Sequence, residues 1–401
     1  QAAQYRYEGP WVGGEKQKEV NVVPVLSVHL TPEIVVAPKS AVAVKRELRV
    51  AVKNGSKGAV DAVVKIDAGK LKVEPATAPV KFRYEGEELT VRFFVTVPPG
   101  TPESEFTLKA TAEANGETFT QGYQVIAYDH TQERHLFHDA ASLLRVQDVK
   151  VAPGVRVGYI MGAGDETVHA IEQLGVPLTM LNADDLAYGD LSKYTTIVTG
   201  TRAFQGRNDL KANYARVMKY VEDGGNLVVQ YNKFEFNVLS QPAFAGGFSG
   251  GPGGGPGGGG PRPVQDSPFA PWPASVTSNR VTVEEAPIEI IAPASRLVTA
   301  PNKITSRDFD GWVQERGLYF FGARDPRYVD VLKSTDPWPK NPGEKKGLLV
   351  ETMVGKGTWS YVGLGLFRQL PSGTPGAYRI LANLISRPRG VAAPVKRAAT
   401  N

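Results

Sequence analysis

The spacing of apolar residues changes once along this chain, close to Pro153, and that change limits what it can fold into. From Val20 to about Ala127 apolar and polar residues alternate with period two, as in "KRELRVAVKNGS", "GAVDAVVKIDAG" and "VKFRYEGEELTVRFFVTVPPG". Turn signals at Asn54-Gly55, Pro98-Pro99-Gly100 and Asn115-Gly116 cut this pattern into short strands. From Val155 onward, short continuous apolar runs alternate with amphipathic ones. The first pattern specifies antiparallel sheets with one wet face. The second specifies a parallel sheet covered by helices on both faces. A chain carrying both holds at least two units, and 401 residues suffice for each to bury its own core.

The expected organisation is an N-terminal segment (1–19), an immunoglobulin-like antiparallel β-sandwich (20–129), a polar linker (130–153), an α/β doubly wound parallel-sheet domain (154–390) and a basic tail (391–401). In the sandwich, Tyr84, Phe93 and Phe94 read as core or cross-strand residues, which makes this unit a spacer or packing module. The linker holds His130, His135 and His138. On a helix the last two would share a face, but no carboxylate-rich partner stands nearby, so a polar connection is expected and no metal site.

In the second domain "VRVGYI", "PLTML", "TTIVTG" and "NLVVQYN" read as strands. Helices are expected over 165–174, with Asp165 as N-cap, over 209–225, and over 374–386. The insertion "GGFSGGPGGGPGGGG" (246–260) has eleven glycines and two prolines, and it reads as a flexible loop.

Within this domain "GYIMGAGDETVHAIEQLG" (158–175) places a glycine loop between strand and helix, as phosphate-binding loops do. Gly162 and Gly164 supply half of a dinucleotide fingerprint, but Thr167 occupies the third glycine position. Asp165 and Glu166 at the helix start suit the helix dipole and repel a pyrophosphate. A structural turn is therefore expected.

Other polar residues follow strand ends on the same edge. Arg202, Tyr231, Asn232, Arg368 and Gln369 either tie loops together or converge on an anionic or hydroxylated ligand. In "ITSRDFDGWVQERGLYFF", Trp312 reads as core or, with Tyr319, as a sugar platform. Asp310 and Glu315 read as an acid/base pair or as charges paired with neighbours.

Composition excludes some classes. With no cysteine there is no disulfide, no thiolate metal site and no cysteine nucleophile, and a periplasmic or extracellular setting is suited. The net charge of +5 is small and sits partly in Arg387, Arg389, Lys396 and Arg397; a solvated end is expected there, without nucleic acid as partner. No apolar run reaches 18 residues, so no membrane span is expected. Gln1 lacks the n-region and h-region of a signal peptide, and the chain reads as a mature or trimmed product.

The runs "VNVVPVLSVHLTPE", "GYIMGAGDE", "IEQLGVPLTML", "DLSKYTTIVTGTRAF", "YVEDGGNLVVQYN", "DFDGWVQERGLYF" and "GLGLFRQLPSGTPGAYRILANLI", in this order, resemble the C-terminal half of large bacterial PIG-L/LmbE-like deacetylases. The resemblance spans nearly the whole chain. It implies a zinc-dependent N-acetyl-sugar deacetylase domain, followed by an immunoglobulin-like sandwich and a class I glutamine amidotransferase-like (flavodoxin-like) domain. The departures are informative. The Pro-His-Pro-Asp-Asp zinc signature is absent, and the one histidine after the linker is His169. The cysteine of the amidotransferase elbow is missing as well; the corresponding strand end offers Tyr231 and Asn232. The expectation is an accessory region that binds no cofactor itself, zinc belonging only to a deacetylase domain. Its expected partners are that domain or a glycan substrate, or further copies of itself. The alternatives are an α/β hydrolase or isomerase of a sugar-derived substrate, using Asp310 and Glu315, and a self-assembling surface protein.

Overall fold

The computed structural model describes residues 4–8, 15–128, 133–233 and 269–389. The glycine-rich insertion 246–260, the tail 391–401 and His130 lie outside the described residues. The chain forms two units, Gln1–Gln147 and Asp148–Asn401.

In the first unit a separate hairpin (Gln4–Glu8 with Glu15–Glu19) precedes twelve strands. These are β1 (Leu26–Thr31), β2 (Ile34–Pro38), β3 (Val44–Asn54), β4 (Val60–Asp67), β5 (Lys72–Glu74), β6 (Ala78–Phe82), β7 (Glu88–Val97), β8 (Ser104–Ala114), β9 (Glu117–Phe119), β10 (Gln121–Ile126), β11 (Arg134–Asp139) and β12 (Ala141–Gln147). One sheet has the order β1-β3-β7-β5. The other runs β2-β12-β8-β4-β6, with β9 added to β8. From β1 to β8 the chain alternates between the two sheets, which makes a β-sandwich. Period two explains the packing. Leu48, Val50 and Val52 on β3 and Phe93, Val95 and Val97 on β7 are buried, facing Val64, Leu108 and Ala110 of the other sheet. Each large side chain so enclosed contributes about 1.5–3 kcal/mol.

The linker expectation is corrected here. Residues 134–147 form β11 and β12, and β12 lies inside the second sheet between β2 and β8. Ser142, Leu144 and Val146 point inward and are buried, a period-two pattern that the charged, histidine-bearing run ahead of it obscures. His135 and His138 sit on a strand, where an offset of three puts them on opposite faces. Tyr84 is also corrected: it lies in the bend after β6, 56% exposed, its ring beside the Arg83 guanidinium and its carbonyl accepting from the Asn54 amide. Phe93 is core, while Phe94 lies on the outer face under the Lys45 ammonium, 4.5 Å from the ring centre.

The main sheet of the second unit contains β13 (Val157–Ile160), β14 (Leu178–Met180), β15 (Thr196–Thr199), β16 (Asn226–Gln230), β17 (Val329–Asp330), β18 (Leu349–Val354) and β19 (Gly357–Val362). Its order is β14-β13-β15-β16-β19-β18-β17. Every pairing from β14 to β19 is parallel, and β18 and β17 add antiparallel. The helices used below are α1 (Thr167–Gln173), α2 (Asn208–Ala212), α3 (Tyr214–Glu222) and α4 (Pro375–Ile385). The expected single helix over 209–225 is split at Asn213, whose side-chain amide donates to the Asp209 carbonyl at 2.9 Å and competes with the helical ladder. The last carbonyls of α4 would be orphans; Asn226 Nδ2 donates to Leu384 O and Thr196 Oγ1 to Ile385 O, both at 2.8 Å. This ties the helix end to the amino ends of β15 and β16, and it leaves the opposite, carboxyl edge of the sheet for loops. No helix among the described residues is long and apolar enough to cross a membrane.

Candidate functional site

The carboxyl edge of the parallel strands is where open sheets of this kind present ligands. The loop after β13 is a turn built by close approach. A Cβ on Gly162 would lie 2.0 Å from the Thr201 carbonyl oxygen, and one on Gly200 would lie 2.6 Å from Gly162 N. Both glycines therefore let two loops touch. Asp165 binds the loops together. Its carboxylate accepts from Tyr159 Oη (2.7 Å), Thr167 N (3.1 Å) and Thr201 N (3.0 Å). The N-cap of α1 is Glu166, without a side-chain bond, so Asp165, the expected cap, lies one residue ahead of the observed one. Tyr159 is buried, which with the Asp165 charge pushes its phenol far up, and it stays a hydrogen-bond donor. Where a phosphate would need donors, this loop holds an anion whose oxygens are already occupied.

Arg202, Tyr231 and Arg368 come to this edge. Arg202 adopts a left-handed backbone (φ 59°), its N–H donating to Tyr231 O at 2.8 Å and its Nε to Gln205 Oε1 at 3.2 Å. The Tyr231 ring stacks on Tyr319 (5.5 Å between centres) and meets Phe367 at 5.2 Å. Burial raises its phenol, and the Arg202 charge, followed more weakly by the Thr201 hydroxyl and the Arg368 charge, pulls it back. Asn232 is fully buried; its N–H donates to Tyr361 Oη and its Nδ2 to Gln230 O, both at 3.3 Å, while Oδ1 has no partner among the described residues.

The remaining residues of the expected site are corrected by their contacts. Glu315 is 3% exposed and lies between two guanidiniums, Arg280 Nη2 at 2.6 Å and Arg368 Nε at 2.7 Å. Asp310 is exposed and belongs to no such cluster. The two carboxylates do not form an acid/base couple, because one is neutralised inside and the other is solvated. Arg368 is held in addition by the Gln314 side chain. Gln369 is fully buried and clamps one backbone residue at both ends: its Oε1 accepts from Val313 N (2.8 Å) and its Nε2 donates to Val313 O (2.7 Å). Trp312 is no platform. It is buried, its Nε1 donates to Asp308 O at 2.9 Å, and its ring packs on Phe309 and the Arg316 guanidinium. Among the described residues no three histidine, aspartate or glutamate side chains gather to hold a metal ion.

A second polar cluster, in the first unit, escaped the sequence. His29 and His138 bring their rings to 4.4 Å between centres. His29 Nε2 shares a hydrogen bond with Ser27 Oγ at 3.2 Å, and Ser27 Oγ accepts from Tyr123 N. His29 lies on β1 and His138 on β11, at the two ends of the unit, so no local spacing signals the pair. Burial, then the neighbouring His138, pushes the His29 imidazole below its ordinary value near 6.5; Glu88 and the Tyr123 backbone oppose this weakly. The neutral ring is therefore the native one. Its contribution is complete above pH about 6.5 and is lost as pH falls through the lowered native value. The thermal midpoint of the first unit is expected to drop between about pH 7 and about pH 5, and His138→Gln is expected to shrink that drop. A midpoint independent of pH across this range would contradict the assignment.

No family model matches the chain, and no curated protein does. Similar solved structures include a cold-adapted β-galactosidase from Rahnella sp. R3 (15% identity, TM-score 0.34, covering 62% of this chain and 33% of that one). A PapD-like domain of human CEP192 aligns at 12% identity and TM-score 0.21 over 35% of this chain and 99% of that one. WR4, an MSP family member of C. elegans, aligns at 11% and 0.18 over 30% and 96%. At such scores these likenesses carry no argument about activity, and the sandwich rests on its own sheet order.

Proposed function

We propose that the chain is a non-catalytic accessory region of a PIG-L/LmbE-type glycan deacetylase, acting in the periplasm or outside the cell, and that its second unit is a class I amidotransferase-like domain without the amidotransferase chemistry. The order β14-β13-β15-β16-β19, second-first-third-fourth-last, supports the flavodoxin-like part of this reading. The observation that carries the non-catalytic part is the state of the side chains at the carboxyl edge. Glu315 is held by Arg280 and Arg368, Gln369 by Val313, and Asp165 by Tyr159 and Thr201. A general acid or base must be able to exchange its proton with a substrate, and the Glu315 and Asp165 carboxylates face protein donors instead. The chain has no cysteine to act as the elbow nucleophile.

The test is an acetate-release assay on the purified chain with N-acetylglucosamine oligomers, with and without added zinc. No release above buffer is expected. Turnover by the chain alone would overturn the reading in favour of an enzyme acting on a sugar-derived substrate.

A further inference from the structure

Strand β11 pairs with β10 alone, so the hairpin of the first unit has an open edge. Ala140 N donates to Thr120 O at 2.8 Å, directly beside the pair of Gln121 and Asp139. Antiparallel ladders alternate, so Gly122 with His138 and Gln124 with Leu136 are the hydrogen-bonded pairs. His135, Phe137 and Asp139 therefore turn their N–H and C=O groups away from β10, and no backbone group of the described residues pairs with them. We propose that this edge is a homodimer interface, in which β11 pairs antiparallel with β11 of a second copy about a two-fold axis at Phe137. Only residues of the first unit take part, and the accessory reading is not needed for it.

Native proteins guard open edges with lysine, proline, a bulge or a very short strand. Strand β11 has none of these: it is six residues long, reads RHLFHD, and pairs with β10 in unbroken register. Its middle is apolar and open to water, with Leu136 53% and Phe137 41% exposed. Tyr123, Val125, His135 and Phe137 share one face of the hairpin, the Tyr123 ring lying 5.3 Å from His135 and 6.1 Å from Phe137 between centres. Val125 on that face is 46% exposed. A second hairpin continues this apolar face across the axis and sets Phe137 beside its own copy, an aromatic cross-strand pair.

Register selects the occupant. Only residues in the same phase of the ladder can stand opposite each other. With Phe137 on the axis, His135 stands opposite Asp139 of the second copy, and the symmetry repeats that contact on the other side. Asp139 Oδ1 accepts from Gln121 Nε2 at 2.9 Å, while Oδ2 has no partner among the described residues and is open to an imidazole N–H. Arg134 stands opposite Ala140, so like charges do not meet. The neighbouring in-phase axis, at Leu136, would set Asp139 against Glu133 and Arg134 against His138, and repulsion disfavours it. An unrelated strand would gain the same backbone bonds without the two histidine–carboxylate contacts. The interface is small, with about six backbone hydrogen bonds, so a dimer with Kd of about 10–100 μM is expected.

Sedimentation velocity of the full chain between about 5 and about 300 μM is expected to show a reversible monomer–dimer equilibrium. Phe137→Asp opposes two carboxylates on the axis and is expected to weaken the dimer about tenfold or more. The chain has no cysteine, so single cysteines report the register. Oxidised with diamide, Phe137→Cys is expected to give a covalent dimer, because Cα atoms of a hydrogen-bonded pair lie about 5.5 Å apart, within disulfide reach. His135→Cys and Asp139→Cys are expected to cross-link when mixed but not each with itself, since like positions are offset by about 13 Å along the strands. Val63→Cys, on β4 and 39% exposed, is the control and is expected to stay monomeric. The proposal is overturned if the chain remains monomeric at about 300 μM and Phe137→Cys cross-links no more than Val63→Cys. It is also overturned by a dimer indifferent to Phe137→Asp, as one formed through another surface would be, or by self-cross-linking of His135→Cys or Asp139→Cys in excess of the mixture.

Discussion

Replacing Glu315 with alanine is expected to lower the stability of the second unit by about 3 kcal/mol, while Glu315→Gln costs about half as much. The argument follows from burial and partners. The carboxylate is 3% exposed and faces guanidiniums on both oxygens, Arg280 from the segment before it and Arg368 from the short helix Leu366–Gln369 after β19. Removing one member of a buried ion pair typically costs about 3–5 kcal/mol, because the partner charge is left behind. Here the estimate sits at the low end. Arg280 and Arg368 are about half and one-third exposed and recover water when the carboxylate goes. Glutamine fills the same space and still accepts one hydrogen bond, which explains the smaller loss. Urea unfolding measures the effect, as a shifted midpoint at constant slope. A Glu315→Ala variant as stable as the parent, yet unable to bind or turn over a sugar that the parent uses, would make Glu315 a working site residue and refute the structural role.

Such a clamp is difficult to read from sequence because its members meet only through the fold. Arg280 and Arg368 lie 35 and 53 positions from Glu315, and "GWVQERG" shows only an acid beside a base. Trp312 was ambiguous for a related reason: composition gives a large ring, while burial depends on Phe309 and Arg316 packing around it. What was legible was periodic. Alternation along β3, β4, β7 and β8 gives a sandwich because one face of each strand must leave water. The apolar runs of β13, β15 and β16 are buried throughout, as a covered parallel sheet requires. The boundary was missed where periodicity was short: β12 shows only Ser142, Leu144 and Val146 on its inner face, and a serine in first place weakens the signal. The His29–His138 contact, made across the unit, left no trace in any local window.

The strand–loop–helix unit after β13 gives the second large effect. Asp165→Ala is expected to destabilise the second unit by about 2–4 kcal/mol, since it strips the acceptor from the Tyr159 hydroxyl and from the Thr167 and Thr201 backbone N–H groups. Asp165→Asn is no remedy. Its amide oxygen can serve Tyr159 and Thr167, but its NH₂ then faces Thr201 N–H, donor against donor, and a loss of about 2 kcal/mol is expected. Tyr159 is coupled to the carboxylate directly and also accepts from Gln230 Nε2 at 3.1 Å, so the two sites act together. A double-mutant cycle with Tyr159→Phe is therefore expected to show a coupling of about 1–2 kcal/mol. The same residues decide whether the glycine loop is a phosphate cradle. A cradle needs free N–H groups and a vacancy for negative charge, whereas this loop has its Thr201 and Thr167 N–H groups facing a fixed carboxylate. Thermal melts of the parent with millimolar ATP, NAD or inorganic phosphate should show no stabilisation. A rise of the midpoint with any of them, abolished by substitution in the 162–165 loop, would mean that Asp165 yields its donors to a ligand and that the turn is a binding site after all.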